Sequence, residues 1–215
     1  MICSHCGGYL QTRIQTLDLF DTLWMLIESP RRAFKRICLA EQKNYIHFLA
    51  AVVGVEIVAL WLWRARGGLL FENNLQFLIL ALILSGPLVG VLVLYAGSFV
   101  YSTIARLMNA RTRFREVKAV LAYALIPLML AAVFLVPIEL GLFGMSLFTG
   151  NPSPMVLKPG AYIVLIGMNG LAVLWTFVLL VIGTRVLLAK GPLRSVFLAL
   201  CTLAVIAVLV IRVPW

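Results

Sequence analysis

Residues 75–101 read LQFLILALILSGPLVGVLVLYAGSFVY, a run of 27 without one charged side chain. A membrane-crossing helix needs about 20 mostly apolar residues at 1.5 Å rise each, and this stretch exceeds that. Working outward, four more stretches qualify, at about 45–63, 119–142, 161–188 and 193–211. Tyr45, Trp61, Trp63, Phe77, Tyr101, Tyr162 and Trp215 mark their ends, where rings with one polar edge favour the headgroup level. The expected fold is all-α: a polytopic membrane helix bundle with five transmembrane helices. Composition agrees, since 63% of the 215 residues are hydrophobic and 12% are charged, against about 25% charged in a soluble domain. A soluble fold of this size could not hide so much apolar surface.

Orientation follows from the lysines and arginines beside the spans. The segment before the first span, the second loop and the fourth loop hold 14 of the 18 basic residues, and the opposite side holds Arg64, Arg66, Lys158 and Arg212. That asymmetry places the N-terminus in the cytoplasm and the C-terminus outside. It also accounts for the net charge of +10. The charge is divided among short loops beside lipid, so nucleic-acid binding is not expected. Residues 1–15 contain no apolar core, and the first span is expected to act as its own insertion signal.

The expected division is a cysteine-knuckle segment at 1–15, amphipathic cytoplasmic helices at 16–44 and a transmembrane domain at 45–215. In TLDLFDTLWMLIE, residues 16–28, Leu17, Phe20, Trp24 and Ile27 recur at helical spacing, away from Asp18, Asp21 and Glu28. This predicts an amphipathic helix on the inner surface or against the bundle. Ser29 then suits the cap of a second helix and Pro30 its first position. There Phe34, Ile37 and Cys38 group together, and Arg32, Lys35 and Arg36 face the other way. Arg31, Arg32, Lys35 and Arg36 are candidate contacts, with an anionic leaflet at roughly 1 kcal/mol per basic residue or with a cytoplasmic partner.

Cys3-Ser4-His5-Cys6-Gly7-Gly8 has the spacing of half a zinc knuckle. Two thiolates can hold one metal while the glycines let the backbone turn beneath it, but a structural site needs four ligands. Cys3 and Cys6 would therefore share zinc with a second chain, in a homodimer, or with a partner subunit; a degenerate knuckle without metal is the alternative. Cys38 and Cys201 suggest no disulfide framework.

Glu56 and Glu139 are the only acidic residues inside the expected spans, and Asn169 is the clearest amide. An ionised carboxylate at mid-bilayer costs roughly 2.5–3.5 kcal/mol on insertion scales, so such groups usually face the bundle. Helical rise puts Glu56 about 10 Å and Asn169 about 12 Å below the outer surface, with Glu139 nearer it. They are expected either to tie helices together or to form a cation or proton site. Pro87, Pro127 and Pro137 predict kinks, and Gly86, Gly90 and Gly97 predict close helix approach in the second span. No catalytic constellation stands out: His5 and His47 are far apart, and no Ser, Cys or Asp accompanies a base at a recognisable spacing.

The chain resembles the YIP family of five-span membrane proteins, named for interaction with Ypt/Rab GTPases, and looks most like its prokaryotic branch. The resemblance rests on Ser29-Pro30-Arg31-Arg32-Ala33-Phe34, on Tyr101 with Ile104-Ala105-Arg106, and on Phe114-Arg115-Glu116 leading into Ala122-Tyr123-Ala124 and Ile126-Pro127. Trp175 and Val181-Ile182-Gly183 continue it, and it covers about residues 20–211. Eukaryotic members act in vesicle traffic and membrane shaping, so the resemblance implies action through protein partners rather than chemistry. The DLYGP-type motif of eukaryotic members is missing. The expected role is a non-enzymatic adaptor or scaffold subunit in a bacterial inner membrane, contacting lipids and other membrane or cytoplasmic proteins. The alternative is a small transporter or channel subunit using Glu56, Glu139 and Asn169.

Overall fold

The computed structural model describes residues 17–71, 74–110, 112–188 and 192–212, with side chains described as far as Ala204. Every regular element among them is helical. Two short helices come first, α1 (Leu19–Glu28) and α2 (Pro30–Leu39). Long helices follow: α3 (Ile46–Ala65), α4 (Leu75–Leu107), α5 (Phe114–Ala124) and α6 (Ile126–Phe143). The single turns α7 (Ser146–Thr149) and α8 (Pro154–Leu157) lead to α9 (Pro159–Leu188) and α10 (Pro192–Arg212).

Four stretches are long and apolar enough to cross a membrane: α3, α4, the combined α5–α6 stretch Phe114–Phe143, and α9. The fifth expected span falls on α10, whose described apolar part is Leu193–Ala204. Helices α4 and α9 point Leu80, Ile83, Leu84, Leu88, Val164, Leu171 and Leu174 outward. A soluble monomer rarely exposes contiguous apolar patches beyond a few hundred Å², whereas lipid accepts this surface. The chain is a multi-pass membrane protein.

The helices close a ring in which α3 packs on α4 and α6, α4 on α10, α10 on α9, and α9 on α5 and α6. The tightest crossing is α3 on α4. A Cβ on Gly54 would stand 1.9 Å from the Gly86 carbonyl oxygen, and one on Gly90 would stand 1.9 Å from that of Ala50. Only bare backbone lets these helices touch, as expected where small residues set helix approach in lipid. Two buried hydroxyls of α4 are satisfied within their own helix: Ser98 donates to the Leu94 carbonyl and Ser102 to that of Ser98, both at 2.7 Å.

The three prolines behave differently. Helices α4 and α6 run on through Pro87 and Pro137. At Pro127 the third apolar stretch breaks, with Leu125 between α5 and α6. Proline donates no hydrogen bond, so it cannot continue the ladder to the Tyr123 carbonyl four residues back, and it suits the first turn of a new helix, where no amide donor is needed.

Two cores result. One, at the end carrying Lys43, Arg106, Arg113 and Arg115, includes Leu26, Phe34, Ile37, Tyr101 and Tyr123. The other, at the far end, includes Leu62, Leu78, Leu135, Phe143 and Phe148. Helix α2 seats Ala33, Phe34 and Ile37 in the first, against α9 and α5. Ser29 occupies its N-cap position but makes no side-chain capping bond. Asp18 caps α1, accepting from the Phe20 and Asp21 amides.

Candidate functional site

Glu56, Glu139 and Asn169 come from α3, α6 and α9, and α6 packs on both of the others. The structure brings all three to one cavity of about 270 Å³. Asn169 Nδ2 donates to Glu139 Oε1 at 2.7 Å, tying α9 to α6. Glu56 is 2% exposed and lines the cavity together with Glu139. Glu56 Oε2 and Asn169 Oδ1 are both buried with no hydrogen-bond partner. Buried polar atoms are paired in the great majority of cases, so two orphans in one cavity mark it out.

Much of the remaining lining is aromatic: Trp63, Phe143, Phe148 and Tyr162. The rings of Phe143 and Tyr162 meet edge to face, 5.8 Å apart. As a sequence, Trp63 and Tyr162 read simply as span-end markers. That reading does put them at the same end as the carboxyls, but it carries no sign that they face inward.

At the basic end, Arg31, Arg32 and Lys35 are exposed. Arg36 is drawn into an ion pair with Asp21 of α1, so it does not stand free beside them. The helical stripe expected on α1 divides. Leu17 is buried, but Phe20, Trp24 and Ile27 are 81%, 70% and 62% exposed, and Thr22 and Leu26 face the core instead. Both sides of α1 are largely apolar, so periodicity alone could not choose between them. Between α2 and α3, Lys43 Nζ lies 3.5 Å from the Cys38 carbonyl. Burial pushes the Cys38 thiol above its ordinary range, against a smaller opposing pull from Lys43, and burial pushes Lys43 below its own.

Sequence reasoning did not find a cluster around Tyr95. Its hydroxyl lies 3.0 Å from His47 Nε2, and Lys118 Nζ stands 3.3 Å from that hydroxyl and 4.5 Å from the ring centre. Neither His47 nor Lys118 stands out in the sequence, because one opens a span and the other reads as a loop charge. Cys3 and Cys6 lie outside the described residues. Among the described residues, no group of three His, Cys, Asp or Glu gathers to hold a metal.

No curated protein and no solved structure matches the chain. The family model described as the Yip1 domain matches residues 24–213, close to the 20–211 over which the residues themselves carry the resemblance. With a match over most of its length and the helical membrane architecture above, the chain belongs to the Yip1 domain family.

Proposed function

We propose that this protein is a non-enzymatic membrane adaptor or assembly subunit of the YIP type, acting through partner proteins at the face formed by α1 and α2. One observation carries the reading: Phe20, Trp24 and Ile27 stand exposed on α1, and Arg31, Arg32 and Lys35 on α2, which packs on α1 and is held to the bundle by Phe34 and Ile37. An apolar patch rimmed by charge on an anchored element is suited to protein contact. In this reading α10 is the fifth span, residues 16–44 lie on the cytoplasmic side of a bacterial inner membrane, and the protein is of the prokaryotic branch. Cys3 and Cys6, in the segment 1–15, share zinc with a second chain or a partner. The test is affinity purification from native membranes in mild detergent, comparing the parent with Arg31→Gln, Arg32→Gln, Lys35→Gln and Trp24→Ala combined. The expected result is loss of a stoichiometric protein with insertion intact; unchanged recovery counts against the reading. Zinc at one per two chains would support the shared knuckle.

A second reading, a transporter or channel subunit, is favoured by the gathering of Glu56, Glu139 and Asn169 at one cavity. Flux in liposomes that survives Glu56→Gln with Glu139→Gln would remove it.

A further inference from the structure

Two unpartnered acceptors, Glu56 Oε2 and Asn169 Oδ1, share a cavity in which no donor reaches either. Asn169 Nδ2 donates to Glu139 Oε1 and to neither of these acceptors. The Trp63 indole and the Tyr162 hydroxyl also line the cavity, but neither bonds to the two orphans. No lysine, arginine or histidine is among the lining residues, so nothing described there balances the carboxyl groups.

We propose that this cavity binds an ammonium group, the protonated primary amine of a small or lipid-borne ligand. An ammonium carries three N–H donors and one positive charge. Those donors match Glu56 Oε2, Asn169 Oδ1 and the Glu139 carboxylate, and its charge matches the carboxyls. Trp63 and Tyr162 line the same cavity, and aromatic rings attract such a cation where it is desolvated. A divalent metal fits less well: two carboxyls and one amide oxygen fall short of the roughly six to eight oxygens that calcium takes. At about 270 Å³, the cavity lies just below the roughly 300–1,000 Å³ of sites for drug-sized ligands. Leu60, Trp63, Ile166 and Val173 line it and are also partly exposed on the bundle's flank, so its mouth opens between α3 and α9 on an apolar surface. An amine with an apolar body, or the aminoethyl headgroup of a phospholipid, can enter by that route. The inference goes beyond the adaptor reading and holds whether or not anything crosses the bilayer.

The test uses the full chain in nanodiscs of phosphatidylcholine, with radiolabelled phenethylammonium as the probe and 2-phenylethanol as its neutral counterpart. The expected result is saturable binding that the alcohol does not displace and that falls about tenfold or more in Glu56→Gln. Gly170→Leu is the second variant: Gly170 lines the cavity and a Cβ there has nothing within 4 Å, so it should narrow the cavity and lower binding while removing no polar group, and a thermal unfolding midpoint like the parent's checks that it folds. Nanodiscs of phosphatidylethanolamine separate the two sources. Weaker probe binding there, with that lipid retained on purification, assigns the site to a headgroup; equal binding assigns it to a free amine. The proposal is overturned if the alcohol competes as well as the amine. It is also overturned if both variants bind like the parent, or if the parent shows no saturable binding in phosphatidylcholine.

Discussion

Gly183 leaves bare the spot where the ring of Phe34 lies. A Cβ there would stand 3.0 Å from Phe34 Cε1 and 2.7 Å from Val120 Cγ1. One missing side chain on α9 thus lets α2 and α5 close over it. Phe34 itself is fully buried. Truncating it to alanine should cost about 3–5 kcal/mol and loosen α2. Trypsin digestion in detergent would show faster cleavage after Arg31 and Arg32. Equal rates in parent and Phe34→Ala would mean that α2 is held by something else.

The α3–α4 crossing should be far less forgiving than glycines elsewhere. Gly54→Ala drives a methyl into the Gly86 carbonyl, which as backbone cannot swing aside, so the helices must part at a cost of about 3 kcal/mol or more. Gly167→Ala meets open space on α9 and should stay within about 1 kcal/mol of the parent. Thermal unfolding of the two variants side by side tests the contrast, and similar midpoints would refute it.

The bond between Asn169 and Glu139 should be a modest tether. Interhelical hydrogen bonds in membranes average about 0.6 kcal/mol and reach about 1.7 in double-mutant cycles. A cycle of Asn169→Leu with Glu139→Leu should return a coupling in that range. A much larger value would make the pair the main lock between α6 and α9.

The Arg36–Asp21 pair should contribute little to stability. Its side chains are 30% and 50% exposed, and exposed ion pairs contribute about 0–1 kcal/mol. Asp21→Asn should therefore leave the melting temperature nearly unchanged in high salt. A drop that persists in high salt would show that the pair fixes the angle between α1 and α2.

Cys38 should react slowly with iodoacetamide at neutral pH. Burial raises its pKa and keeps it in the neutral thiol form, and the thiolate is the nucleophile. In a chain with Cys3, Cys6 and Cys201 replaced by serine, the rate should rise with pH along a curve displaced above the ordinary thiol midpoint of about 8.5. Denaturant should remove the displacement. A curve centred at or below the ordinary value would contradict the burial argument.

The long apolar stretches were legible because lipid demands length and greasiness, and both are linear properties of sequence. The run at 75–101 became the core of α4, and 161–188 became most of α9. Depth was legible too: counting residues from the span ends put Glu56 and Asn169 at similar levels, and they line the same cavity. Rotation was not. Phe20, Trp24 and Ile27 repeat at helical spacing yet face outward, because apolar residues lie on both sides of α1. Pairing was only half legible: Gly86 and Gly90 announced a close approach, but the facing Gly54 carries no mark in a helix rich in small residues. The break at Leu125 hid among three similar prolines whose local contexts decide differently.

Helix α4 has 33 residues and is therefore about 50 Å long. Tilted by 40°, the steep end of the usual range, it still projects about 38 Å along the bilayer normal, against a hydrocarbon core of about 30 Å. The bilayer must thicken around it, or its Arg106 end must stand clear of the hydrocarbon. In the first case the protein gathers in the thicker parts of a laterally uneven membrane; in the second the last turns of this one rod stand beyond the hydrocarbon and carry Arg106 to the water.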